Sequence, residues 1–102
     1  MDFSICIVSY ECREKLRACL ESIRANRPTV EHEVIVVDNG STDGTVQMLE
    51  EDFYWVRTVR NPTNRGFSVA LNQAVAVATG HVLMMLNPDT VVHHGALEGL
   101  LR

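Results

Sequence analysis

Short, continuous apolar runs alternate along this chain with segments whose apolar positions recur every three or four residues. The first run, Phe3–Ser9, is β-branched and nearly unbroken, which suits a strand buried on both faces. Over 14–25, Leu16, Leu20 and Ile23 form one stripe among charges and predict an amphipathic helix, which Pro28 bars from continuing. A second strand is predicted over 33–37 and a short helix over 45–51, with Val46 and Leu49 inward. A third strand over 54–59 alternates more strictly, so it belongs nearer a sheet edge. The alanine- and valine-rich stretch 67–79 reads as a helix with Gly80 as its C-terminal cap. The apolar run 81–86 reads as a buried fourth strand, and 95–101 begins another helix.

Strands alternating with helices predict an α/β fold, a mostly parallel sheet with helices on both faces, in one domain spanning 1–102. Ligands of such sheets bind beyond the carboxyl ends of the strands, where the strand order reverses. Most of the unusual polar residues fall in the loops at those ends, 9–11, 38–44, 60–66 and 87–90.

Composition narrows the function. The 102 residues carry 46% apolar and 22% charged side chains, which is ordinary for a globular domain and excludes disorder. A net charge of −4 offers no basic footprint for nucleic acid and no polybasic patch for anionic lipid. Cys6, Cys12 and Cys19 match neither a disulfide framework nor a zinc pattern; Cys6 reads as core, and one of the other two as exposed. Free thiols, no basic leader and no apolar run of about 18 residues lead us to expect a cytoplasmic setting, or the inner face of the membrane within a longer protein.

Two acidic strand ends carry the candidate chemistry. Asp38 follows four apolar residues and opens the run Asn39, Gly40, Ser41, Thr42, Asp43, Gly44. Glycines there permit angles other residues avoid, and Ser41, Thr42 or Asp43 can cap the next helix. A plain strand-to-helix turn needs no carboxylate at position 38, whereas a base N–H or a ribose hydroxyl would be its partner in a nucleotide site. The second end is Asn87, Pro88, Asp89, Thr90. Asn-Pro-Asp is also good turn chemistry, but Asp89 can ligate Mg2+ or Mn2+, hard ions that complete their shells with phosphate oxygens and water. Between them, Gly66 opens a helix whose N-terminus favours anions, with Arg65 placed to approach a phosphate. Asn72, two turns into that helix, fits a pocket or the surface equally. His32 reads as an exposed strand-start residue and His81 begins a strand, while His93 and His94 begin the last helix, where His94 can cap it or be solvated. Adjacent helical histidines point about 100° apart and seldom share an ion, which disfavours a metal site built from His93, His94 and Asp89.

In order and spacing, the segments Ile7 to Tyr10, Val36 to Thr45, Asn64 to Phe67 and Leu86 to Asp89 resemble the N-terminal part of a family 2 inverting glycosyltransferase, with the rhamnosyltransferase-like branch nearest. The resemblance spans nearly the whole chain. It implies a Rossmann-like GT-A fold, of which this chain is the nucleotide-binding half without the acceptor half. It implies that Ser9, Tyr10, Glu11, Asp38, Asn39, Arg65, Gly66 and Asn87 bind the nucleotide sugar and that Asp89 binds Mg2+ or Mn2+. The implied partners are a dTDP- or UDP-linked sugar and a glycan or lipid-linked acceptor; homo-oligomerisation stays open. Asn87 stands where the family's Asp-X-Asp motif has its first aspartate, and Glu11 where asparagine is usual. No residue up to Arg102 is assigned as catalytic base, so the expectation is donor binding with little or no transfer by this chain alone. Two other readings compete, a non-catalytic nucleotide-sugar module and an α/β half-domain that dimerises through exposed strands. The absence of Gly-x-Gly-x-x-Gly after the first strand and of a phosphate-loop Gly-Lys-Ser/Thr disfavours dinucleotide enzymes and ATPases.

Overall fold

The structure, a computed structural model, describes residues 2–28 and 30–93. The elements run β1 (Phe3–Ser9), α1 (Arg13–Ala25), β2 (His32–Asp38), α2 (Thr45–Asp52), β3 (Arg57–Arg60), α3 (Phe67–Val77) and β4 (Val82–Leu86). The helix expected over 95–101 and the reading of His94 lie outside the described residues.

All pairings are parallel, in the order β3-β2-β1-β4. The chain builds outward from β1 through β2 to β3, then returns to the far side of β1 for β4. The order therefore reverses between β1 and β4, and that crevice is where the fold receives ligands. The register aligns Ser9 with Asp38 across β1 and β2, and Ile7 with Leu86 across β1 and β4.

Side-chain alternation divides the core. Phe3, Ile5, Ile7, Val34 and Val36 face α1 and α2, meeting Leu16, Leu20, Ile23 and Leu49. Cys6, Ile35 and Val37 face the other way onto Ala70 and Ala74 of α3. Small residues on α3 let that helix lie close to the sheet. Helices thus cover both faces, as the alternation predicts.

Several expectations need correction. The third strand is only Arg57–Arg60, because residues 53–56 turn and the Val56 N–H bonds the Phe53 carbonyl at 3.0 Å. On α2 the buried positions are Thr45, Met48 and Leu49, while Val46 is half-buried. α3 ends at Val77, followed by Ala78 in an extended conformation, so Gly80 does not cap it. Gly80 instead presses on β1: a Cβ there would come within 2.5 Å of the Phe3 carbonyl carbon and the Ser4 nitrogen. β4 is not a buried strand. It borders only β1 among the described residues, and Val82, Leu83 and Met85 are 49%, 43% and 48% exposed. Met84 and Leu86, which face α1, are the β4 side chains that pack against the larger core cluster. None of the cysteines is exposed: Cys6 and Cys19 are buried and Cys12 is half-buried. His32 is half-buried rather than exposed. Among the described residues, no helix is long and apolar enough to cross a membrane.

Candidate functional site

The β1–α1, β2–α2 and β3–α3 loops lock together at the carboxyl rim, and the 87–90 turn lies beside them. Asp38 is the pivot of the first pair. Its Oδ1 accepts from the Ser9 hydroxyl (3.0 Å) and the Ser41 hydroxyl (2.6 Å), and its Oδ2 accepts from the Ser41 N–H (2.9 Å). The residue is 1% exposed. Its carboxylate is enclosed by Ser9 and Ser41.

Asn39 joins the second loop to the third. Its Nδ2 donates to the Gly66 carbonyl (3.2 Å), while its Oδ1 accepts from the Arg65 N–H (3.1 Å) and Asn61 Nδ2 (3.1 Å). Asn61 exchanges two amide hydrogen bonds with Gln73 on α3, at 2.7 and 2.9 Å. The backbones of these loops also touch. Gly40 has φ +81, and a Cβ there would sit 2.8 Å from the Thr63 Cα and carbonyl carbon. Only glycine fits both the angle and the approach.

Glu11 adopts φ +50, an uncommon conformation for a residue with a Cβ. Its N–H donates to Ser41 Oγ (2.9 Å), and its carboxylate accepts from the Thr42 N–H and hydroxyl. These bonds offset the backbone strain. Asn tolerates positive φ better than Glu, which gives a physical reason for asparagine at this position in the family pattern.

Asp43 ties together the starts of two helices. Its Oδ2 accepts from the Arg13 N–H at 3.0 Å, and its Oδ1 from the Thr45 N–H at 3.1 Å and from the Thr45 hydroxyl. Burial pushes the Asp43 carboxyl up, but these hydrogen bonds together outweigh it and hold the group below its ordinary value. The N-cap position of α2 is Gly44 and carries no side-chain cap, so none of Ser41, Thr42 and Asp43 is the expected cap: Asp43 holds the Thr45 and Arg13 N–H groups from outside the helices, and Ser41 and Thr42 bond to Asp38 and Glu11.

Asn87 and Asp89 are both exposed in a turn closed by the Thr90 N–H on the Asn87 carbonyl (3.0 Å). Burial raises the Cys19 thiol to about 11, with the Asp89 charge and then Cys12 adding to the shift. Cys12 is raised chiefly by burial, and both Asp43 and Asp38 act on it. Asp38, which alternates in step with Val34 and Val36, faces the α1 side of the sheet, and Asp89 follows the end of β4 by three residues. The strands that precede them, β2 and β4, lie two strand spacings apart, about 10 Å.

The predicted site residues fall into two sets. Ser9, Asp38 and Asn39 are buried and form a frame. Tyr10, Glu11, Arg65, Gly66, Asn87 and Asp89 are exposed around it. Asn72 is exposed, and His93 is exposed three residues beyond the turn. An open depression of about 400 Å3 at the start of α1, lined by Glu11, Cys12, Arg13, Glu14, Lys15 and Asp43, shares only Glu11 with these sets. The sequence reading missed Asn61 and Gln73 as supports; the polar Gln73 on a mostly apolar helix was the available signal.

Residues 4–102 match the model of the family described as Glycosyl transferase family 2. The chain belongs to that family. It is 40% identical over 92 residues to the uncharacterized glycosyltransferase YfnE of Bacillus subtilis (strain 168), covering 87% of this chain and 23% of that protein. The fold matches S. aureus TarS 1-349 in complex with UDP-GlcNAc at a TM-score of 0.87 and 27% identity, covering 99% of this chain and 30% of that 1-349 chain. The mannosyltransferase PcManGT of Pyrobaculum calidifontis, in complex with GDP-Man and Mn2+, matches at 0.75 and 28% identity over 85% of this chain and 27% of its own. The family 2 chain thus spans less than a third of each of these relatives. Its mostly parallel sheet with helices on both faces is the GT-A architecture.

Proposed function

We propose that this chain is the donor-binding part of an inverting, metal-dependent glycosyltransferase that takes a sugar from a nucleotide diphosphate. One observation carries the reading: Asp38 ends β2 and Asp89 stands three residues beyond the end of β4, the two strands on either side of β1, at the crevice where the strand order reverses. Ser9, Asp38 and Asn39 hold the loops, and Tyr10, Glu11, Arg65, Gly66 and Asn87 meet the nucleotide sugar. A donor that draws Asp38 out of its serine bonds gains a direct carboxylate contact.

Asp89 supplies one anionic oxygen to Mg2+ or Mn2+, and Asn87 one neutral oxygen. Among the described residues no group of three or more His, Cys, Asp or Glu could hold an ion. Such a donor set fits an ion that takes most of its shell from diphosphate and water. When bound, the cation would neutralise charge gathering on the leaving diphosphate. A UDP-linked donor is the first to test, given the likeness to TarS; a dTDP-linked donor and rhamnosyl transfer follow from the sequence resemblance. The acceptor is a glycan or lipid-linked hydroxyl. The three unpaired thiols fit a reducing, cytoplasmic setting.

Thermal unfolding with UDP or dTDP, with and without Mn2+, tests this reading. The expected result is a rise in Tm that needs both nucleotide and metal, and loses its metal dependence in Asp89→Ala. No rise with any nucleoside diphosphate would refute it. The exposed apolar side chains of β4 favour a second reading, a half-domain that pairs through this strand. Concentration-dependent dimerisation with nucleotide-insensitive melting would support that instead.

A further inference from the structure

The turn that carries Asn87 and Asp89 is held at both ends. On one side Leu86 ends β4, aligned with Ile7 of β1. On the other, two side chains of α1 grip the backbone of Val92. Its N–H donates to Ser22 Oγ at 2.8 Å, and its carbonyl accepts from Asn26 Nδ2 at 3.0 Å. The Val92 side chain is buried in the core cluster that includes Ile23.

The polarity of this clamp is fixed. The Ser22 hydroxyl gives its one proton to the Cys19 carbonyl at 2.7 Å, so its oxygen faces Val92 as an acceptor. Asn26 Nδ2 also donates to the Ser22 carbonyl at 2.9 Å; both of its partners are carbonyls, so the amide has one orientation. Ending α1 does not require the side chain of Asn26 to reach Val92. The Asn26 N–H closes the helix by itself, on the Ser22 and Ile23 carbonyls at 3.1 and 3.2 Å. Burying a valine side chain is non-directional. Two hydrogen bonds of opposite sense on one residue fix where its peptide groups lie and which way they face.

The clamp stands back from the carboxyl rim. From Arg13 to Ser22 the helix rises about 13 Å, so Ser22 and Asn26 act on the rim through the chain and not by contact. Asp89 is close to Val92 along that chain, within a reach of about 10 Å.

We propose that Ser22 and Asn26 are positioning residues for Asp89: by holding Val92 they fix the outgoing end of the turn and present the Asp89 carboxylate to a divalent cation beside the donor diphosphate. The inference rests on the reading of Asp89 as the metal residue. Without the clamp the turn visits other geometries, and the apparent affinity for the cation falls with the population of the competent one.

Calorimetric titration of the 102-residue chain with UDP, with and without Mn2+, tests it on the unsubstituted chain and on Ser22→Ala, Asn26→Ala and Ser22→Thr. Thermal unfolding first establishes which variants fold, and either alanine variant suffices. Mn2+ should tighten UDP binding by the unsubstituted chain. In the alanine variants the metal-free affinity for UDP should be unchanged, and the tightening by Mn2+ should shrink about threefold or more. Ser22→Thr keeps the hydroxyl and should restore it. Full tightening in a folded alanine variant overturns the inference and leaves the donor reading standing. So does an equal loss of UDP affinity with and without Mn2+, which would make the clamp a support of the fold alone. A Val92 amide that exchanges with D2O as fast as exposed backbone in the unsubstituted chain overturns it without recourse to any variant. No tightening by Mn2+ in the unsubstituted chain refutes the metal reading itself, and this inference with it.

Discussion

Single residues set the rim of this family 2 domain by geometry as much as by charge. Gly40 combines a left-handed backbone with a Cβ position already filled by the Thr63 backbone. Gly40→Ala should therefore cost more than about 1 kcal/mol, since alanine at positive φ is strained even without a clash. Urea unfolding measures this; an unchanged midpoint would mean that the two loops are not pressed together. Glu11 shows the opposite arrangement, a strained residue kept in place by its carboxylate on Thr42. Asp38 has four apolar residues before it, and its acidity at the end of a strand was plain in the sequence. That Ser9 and Ser41 would enclose it was not, because Ser9 meets it only through the parallel register of β1 and β2.

Elements are coupled through the same loops. Asp43 serves α1 and α2 together, by accepting from the Arg13 and Thr45 N–H groups. A hydrogen bond is worth about 1 kcal/mol net, so Asp43→Ala, which loses one at each helix start, should remove about 2 kcal/mol in all. Amide hydrogen exchange checks it: protection should fall in the first turns of both helices, and a loss confined to α2 would contradict the shared role. Helix periodicity located α1 well, because its stripe of Leu16, Leu20 and Ile23 packs as expected. Local pattern misread the fourth strand. A continuous apolar run signals cover on both faces, yet β4 has β1 on one side, while Val82, Leu83 and Met85 stand in solvent.

The whole molecule depends on carboxylates that the fold has engaged. Glu33 accepts from the Ser4 hydroxyl (2.6 Å) and from the Thr79 N–H (2.7 Å) and hydroxyl (2.8 Å), so it ties β2 to β1 and to the approach to β4. Burial pushes its carboxyl up, but these bonds and the Arg57 charge hold it below its ordinary value, as at Asp43. On acidification the unfolded chain takes up protons before the folded one does. The stability these two groups contribute is complete above the ordinary carboxylate range, near pH ~4, and is lost as pH falls through their lower folded values. Tm measured between pH 7 and pH 3 should fall in that acid limb, and less steeply in Asp43→Asn; parallel limbs would show Asp43 unlinked to folding. Sequence by itself determined the order of strands and helices along the chain and which loops carry the polar residues, because periodicity and strand-end chemistry are local properties, and its motif segments carried the family resemblance. It did not reach Asn61, Gln73 or the true task of Gly80. Tertiary structure decided those, together with the division of the site into an enclosed frame and an exposed ring. The physical reason is that hydrogen-bond partners and close backbone approaches depend on how parallel strands align, and no local pattern encodes that alignment.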